Sequence, residues 1–342
     1  MDHETPLIII QEHGDDLAQA GLIADHYANQ DVLTDYQKTT SANTKRRQKS
    51  EMRAFSRYLA AANVSRSGEA LSTDITSWRG ITSGILKGYK NWQLHQGVAI
   101  GTLNIRLATL KRYCALAYDA GMISSDEYAR IDQVRGFSHH EGKNVDQERT
   151  TTRIGAKKAE PTVISAAHAK RFKQQPDTKK GRRDALLLCF MLDHGFRCSE
   201  IAALKVAKLD VGEATMTMYR EKVHLWQVHD LSPDTLQAAQ AYLPYVGDQV
   251  WLFPGNRDRE TGETGPLTTR AINDRIFTLG QRIGIKERFG PHDGRHHWTT
   301  DIFKNGTSID RVQEAGGWSS PAMPLRYANK GRKANEGVKI TL

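Results

Sequence analysis

A chain of 342 residues with 48 lysines and arginines against 39 aspartates and glutamates carries a formal net charge of +9, and 39% of its residues are hydrophobic. The length fits about two domains with real cores, and the basic excess points to an anionic partner, nucleic acid before membrane. Three sparse cysteines, Cys114, Cys189 and Cys198, argue against a disulfide scaffold, and the apolar run from Leu7 to Ile10 is too short for an export core, so the expectation is a cytoplasmic, DNA-associated protein without a membrane segment.

Residues 1–39 are acidic and weakly periodic and read as an N-terminal extension. A helix is predicted over 41–63, "SANTKRRQKSEMRAFSRYLAAAN", with capping candidates Ser41, Asn43 and Thr44 and with Met52, Phe55 and Leu59 on one face. Its other face carries Lys45, Arg46, Lys49, Arg53 and Arg57, which suits either a solvated surface or one that tracks phosphates. The stretch 102–121 repeats the arrangement, with Leu103, Leu107, Leu110, Cys114 and Ala117 inward and Arg106, Lys111 and Arg112 outward, and Gly121 as its stop. With further helices near 82–96 and 125–134, residues 40–137 form a small helical domain. The apolar period then fades over 138–161, which reads as a linker; His139 and His140 within it are read as exposed rather than as metal ligands.

The remaining part, 162–342, is mixed. A buried helix is predicted over 182–195, ended by Gly195, and another over 199–210 with Ser199 as its N-cap, leaving Phe196 and Arg197 in the turn between them. Residues 214–228 alternate on either side of Arg220 to Lys222 as a short hairpin would. Helices follow at 233–243, 268–283, 292–304 and 308–315. The expected domain is therefore rich in helix, with a small antiparallel sheet.

The run "GPHDGRHHWTT", 290–300, allows two readings. His292, Asp293 and His296, with Glu314 later, imitate a zinc-hydrolase set, but aspartate is one carbon short for the general base and Gly294 weakens a metal-binding helix. His292 with Arg295 instead makes a phosphate-directed pair. That second reading joins others: Arg197 in "GFRCSEIAAL", Trp318 in "EAGGWSS" and Tyr327 in "LRYAN", with Trp318 23 residues after Arg295 and Tyr327 nine after Trp318. In this ordered set the sequence resembles the tyrosine recombinases, or phage integrases, and among them the Cre-like members. The likeness covers roughly 162–330, with a fainter match over 40–135.

The resemblance implies a core-binding helical (SAM-like) domain followed by a catalytic domain, and a reaction that needs no cofactor and no metal. Arg197 and Arg295 would clamp one phosphate, because planar guanidinium groups fork onto its oxygens. Tyr327 would be the nucleophile, forming a 3′-phosphotyrosyl link and freeing a 5′-hydroxyl, so that the bond energy is kept for rejoining through a Holliday junction. His292 would move a proton or donate to the phosphate, and Trp318 could donate its indole N–H but shuttle no proton. Lys222 is the best match for the hairpin lysine that protonates the leaving oxygen, an exposed hairpin lysine being the plain alternative. Glu200 fits the acid that orients Arg197.

The resemblance also implies double-stranded DNA as partner and a homo-tetramer on two sites, with the two domains closing around the duplex. Arg270 and Arg275 are candidates for groove contacts, beside the basic positions Lys45, Arg46, Lys49, Arg53, Arg106 and Lys111. Gly294, where relatives carry a bulky apolar residue, is expected to loosen packing beside the clamp. Pro324 is expected to open the tyrosine helix as its first residue. Val338, Ile340 and Leu342 alternate like a short strand that could dock on a neighbouring subunit. Two rivals stay open: a relaxing topoisomerase of the type IB kind, and a relative that binds DNA without cutting it.

Overall fold

The computed structural model describes residues 32–149, 162–258 and 260–328, with Leu17, Ala20 and Gly21. The chain divides into two compact units, Met1–Lys157 and Lys158–Leu342. Among the described residues no helix is long and apolar enough to cross a membrane.

The first unit is helical: α1 (Val32–Thr39), α2 (Ala42–Ala61), α3 (Ala70–Thr73), α4 (Ser83–His95), α5 (Ile100–Asp119), α6 (Ser125–Asp132) and α7 (His139–Glu148). Side-chain oxygens set the starts of the longer ones, Ser41 accepting from the Thr44 N–H, Thr82 from Ile85 and Ser124 from Glu127. The predicted inward residues, Met52, Phe55 and Leu59 on α2 and Leu103, Leu107, Leu110, Cys114 and Ala117 on α5, are all buried. They close on an aromatic centre in which Phe55 meets Tyr89 edge-on at 5.1 Å and stacks on Trp78 at 6.1 Å. Such pairs add about 0.5–1.5 kcal/mol each beyond their burial.

Three helices of this unit, α1, the short α3 and α7, lie where none is expected. Leu33 of α1 joins this core from the stretch read as an extension. Helix α7 occupies the first part of the expected linker because Ser138 and Glu141 make a capping box, each side chain taking the other's backbone N–H. Residues 150–161 lie outside the described ones.

The second unit is built around α9 (Lys179–Leu192), whose residues Leu186 through Leu192 are buried without a break. Helix α8 (Ala166–Lys173), α11 (Pro233–Tyr242) and α13 (Pro291–Lys304) pack on it. An antiparallel sheet in the order β1 (Leu209–Asp210), β2 (Thr215–Arg220), β3 (Leu225–Asp230) stands beside them, with Arg220 opposite Leu225 at the hairpin end. Strand alternation turns Met216, Met218 and Arg220 inward and leaves the tip, residues 221–224, beyond the sheet.

The predicted 199–210 helix is only α10 (Cys198–Ala202), and Arg197 rather than Ser199 is its N-cap. Backbone pairing takes the chain away: the Leu204 carbonyl accepts from the Leu252 N–H at 2.9 Å and the Val206 N–H donates to Val250 at 3.1 Å. A second, two-stranded sheet, β4 (Pro254–Arg257) with β5 (Thr264–Pro266), was not legible in the sequence. Helices α12 (Thr269–Arg282), α14 (Ile309–Gly316) and α15 (Ala322–Ala328) complete the unit. Helix α15 begins two residues before Pro324. The proline is tolerated there because first-turn N–H groups have no intrahelical acceptor.

Candidate functional site

The turn that ends α14 brings together Arg197, Arg295 and Trp318. Gly317 is left-handed, at φ 58° and ψ 53°, which a glycine adopts without cost and which stops the helix. Its carbonyl accepts from Arg197 Nη2 at 2.9 Å, and the Gly316 carbonyl accepts from Arg295 Nη2. Arg295 also donates Nη1 to the Gly195 carbonyl at 2.7 Å and lies 4.0 Å over the Trp318 ring. Two arginines far apart in sequence thus meet on one turn, held by backbone carbonyls. Burial, then the nearby Arg197 charge, pushes the Arg295 pKa down to about 9, which leaves it protonated at neutral pH.

Glu200 stands behind Arg197. Its carboxylate accepts from the Arg197 backbone N–H at 2.7 Å and from Nη1 at 2.6 Å. Burial favours the neutral carboxyl, but the charges of Arg220 and Arg197 and the Arg197 N–H outweigh it and hold its pKa below the usual value.

Tyr327, 6% exposed, packs its ring against Trp318 at 5.9 Å, His292 at 6.4 Å and His296 at 5.0 Å. Burial raises the pKa of its hydroxyl, against the pull of Arg295 and Arg197. His292 is exposed at the start of α13, while His296, named in the sequence only within the zinc-hydrolase-like set, is buried and closer to the tyrosine ring. The Asp293 carboxylate accepts from the backbone N–H groups of Gly290 at 2.9 Å and Thr162 at 3.0 Å, a helix-capping task. Among the described residues no group of three or more His, Cys, Asp or Glu side chains could hold a metal ion.

Gly294 does the opposite of loosening the site. A Cβ there would lie 2.5 Å from Met191 Cγ, so the bare glycine lets α13 approach α9 closely beside Arg295. Lys222 is exposed at the hairpin tip. Arg220, named in the sequence only as a marker of that hairpin, is instead fully buried, with 0% exposure, and donates to Glu200 Oε1 at 2.9 Å. The alternation of Met216, Met218 and Arg220 is the signal that could have placed it inside.

The basic positions divide. Lys45, Arg46, Lys49 and Arg53 line the exposed face of α2, with Arg46 bonded to Asn43 and Lys49 loosely paired with Glu69 at 3.8 Å. Arg106 is half-buried and donates to Gln93, and Lys111 is tied to Asp132 through both its carbonyl, at 2.6 Å, and its carboxylate, at 2.9 Å. Arg270 is exposed on α12. Arg275 is not available to a groove: it is bound to the fully buried carboxylate of Asp184, which also receives Arg183. The tail from 329 onward lies outside the described residues, and with it Val338, Ile340 and Leu342.

The chain is similar to known proteins in both sequence and fold. The chain is 25% identical over 250 residues to the tyrosine recombinase XerC of Xylella fastidiosa (strain 9a5c), covering 69% of this chain and 82% of that protein. Its fold resembles a lambda integrase dimer bound to a COC′ core site, with a TM-score of 0.60 and 14% identity over 96% of this chain and 85% of the other. A lambda integrase tetramer bound to a Holliday junction gives a TM-score of 0.58 at 13% identity, over 97% and 85%. The sequence pattern of the phage integrase family matches residues 162–333, the whole stretch from the start of the second unit's described residues past Tyr327, and the chain belongs to that family.

Proposed function

We propose that this chain is a site-specific DNA recombinase that cuts and rejoins strands through a 3′-phosphotyrosyl intermediate. The observation that carries the reading is the convergence of Arg197 and Arg295 on the 316–317 turn beside the ring of Tyr327. In-line displacement at phosphorus loads negative charge on the non-bridging oxygens, and two forked cations stabilise that charge most where water is excluded. Arg197 and Arg295 take this role, and Glu200 fixes the Arg197 fork.

Tyr327 attacks the phosphorus. Its raised pKa means that the proton must leave as the bond forms, and His292, next to its ring, is the acceptor. Trp318 fixes Arg295 through its ring face and donates its N–H to a phosphate oxygen. The bond from phosphorus to the 5′-oxygen breaks, and Lys222 at the exposed tip of the hairpin supplies the proton to that oxygen. The reverse attack, by the 5′-hydroxyl of another strand, restores the diester and frees the tyrosine.

The first unit serves as a core-binding (SAM-like) domain whose α2 face, with Lys45, Arg46, Lys49 and Arg53, contacts the phosphates of duplex DNA. Strand exchange between two sites calls for four copies, in line with the tetramer seen for lambda integrase on a Holliday junction. The test begins by selecting the bound site from random duplexes and building a nicked suicide substrate on it. Wild type forms a covalent DNA adduct that persists in EDTA and Tyr327→Phe forms none; an adduct in the mutant refutes the assignment. Relaxation of supercoiled DNA without any exchange between two sites would favour the topoisomerase reading instead.

A further inference from the structure

Helix α14 ends, as helices do, in carbonyls that lack an N–H donor from a following turn, and the negative end of its dipole favours cations there. Four successive carbonyls are taken by side chains: Glu314 by Gln227 Nε2 at 2.8 Å, Ala315 by Arg220 Nη2 at 2.6 Å, Gly316 by Arg220 Nη1 at 3.2 Å and by Arg295, and Gly317 by Arg197. Arg220 and Gln227 belong to the β2–β3 hairpin and are joined to each other through Nε and Oε1. Arg220 also meets His229 Nε2 at 3.3 Å. Burial pushes the His229 pKa down to about 4, so at neutral pH that ring is uncharged and able to accept.

A guanidinium has five N–H donors. Arg220 spends its donors on five acceptors inside the protein: Gln227, Glu200, Gly316, Ala315 and His229. The side chains of Arg197 and Arg295 make two such bonds each among the described residues. Arg220 is therefore not a phosphate ligand. A fully buried arginine carries a heavy desolvation penalty, and an apolar residue is the ordinary occupant of an inward strand position beside Met216 and Met218.

We propose that Arg220 is a positioning residue for strand transfer, holding the Glu200 carboxylate and the Ala315–Gly316 carbonyls where Arg197 and Arg295 need them before DNA arrives. This rests on the assignment of those two arginines to the phosphate clamp. Arg220 acts through partners it shares with them, Glu200 with Arg197 and the Gly316 carbonyl with Arg295, and reaches no reacting atom itself.

The test uses the full chain and the suicide substrate above. Arg220→Met, which keeps most of the volume and no donor, is expected to slow single-turnover cleavage about 10–100-fold, the usual penalty for removing a group that orients a ligating one. DNA affinity per folded molecule stays within about threefold, and Arg220→Lys recovers part of the rate. The decisive readout is a double-mutant cycle: in an Arg197→Lys background Arg220→Met slows cleavage by less than about threefold, since residues acting as one unit do not add. Full multiplication of the two defects, a rate loss matching the loss of folded protein, or no loss at all overturns the proposal. Where Arg220→Met does not fold, the same cycle is read with Arg220→Lys and with Gln227→Leu, which removes the acceptor of Arg220 Nε together with the donor to the Glu314 carbonyl. Adduct formation by Tyr327→Phe, run in parallel, would refute the strand-transfer reading itself; an adduct that needs Tyr327 and ignores Arg220 refutes only the positioning role.

Discussion

Replacing Gly294 by alanine sets two physical effects against each other, and the structure decides the sign. Helix propensity alone favours the change by about 0.8–1 kcal/mol, because glycine in a helix interior carries the larger entropy loss. Against this, the new Cβ would stand 2.5 Å from Met191 Cγ, 2.7 Å from Sδ and 2.9 Å from Cε, and Met191 is wholly buried. Overpacking of that kind costs about 1–3 kcal/mol, since a displaced side chain in a close-packed core has nowhere to go. The expected net effect is a destabilisation of about 0–2 kcal/mol, or up to roughly 8 °C in melting temperature for a unit of this size. Cleavage per folded molecule also falls, because α13 can relieve the contact only by moving Arg295. Scanning calorimetry of the full chain and single-turnover cleavage read both. Met191→Ala, made together with Gly294→Ala, removes the opposing atoms and recovers the alanine's advantage over Met191→Ala alone. A single mutant more stable than wild type, or a penalty that survives the loss of Met191, would refute the close-approach argument.

Three other outcomes are expected. Burial holds the pKa values of His194 and His229 down to about 4; against an ordinary value near 6.5, each corresponds to roughly 3 kcal/mol of linkage at most. Stability is complete above about pH 6.5 and falls as the pH drops toward 4, because the unfolded chain binds those protons first; a level melting temperature across that window would contradict this, and His194→Gln should flatten the profile. Arg275→Ala should lower stability by about 1.5–3 kcal/mol, the range for a lost hydrogen bond to a charged group, since Arg183 still pairs with Asp184, while leaving the salt dependence of DNA binding unchanged; a lower salt slope would return Arg275 to the DNA surface. Removing Lys45, Lys49 or Arg53 should each reduce the slope of log affinity against log salt by about 0.9, measured by fluorescence anisotropy, whereas Lys111→Ala should leave the slope as it is.

The core-facing stripes of α2 and α5 were legible because burial against one neighbouring surface repeats every turn of a helix, and each expected residue is in place. The hairpin was legible for the same reason at period two. Apart from helix α7, which a local Ser138–Glu141 capping box sets, what escaped was decided largely by contacts distant in sequence. Residues 203–206 look like a helix continuation until Val250 and Leu252 pair with their backbone. Arg275 looks like a solvent-facing cation until Asp184, 91 residues away, takes it inside. The Gly294 position reads as a defect only when Met191 is out of view. At the candidate site, side chains with unusual chemistry stood out as an ordered set, but the acceptors that hold them did not, because a carbonyl is common to every residue.

That last point bears on how the site can change over time. Gly195, Ala315, Gly316 and Gly317 take part through main-chain oxygens, which any amino acid possesses. Drift at the three glycines is limited by space as well as by backbone shape, since a Cβ at Gly195, Gly316 or Gly317 would run into Trp298, Trp318 or Arg220. A designer transplanting the two arginines alone would leave behind the carbonyls that hold them.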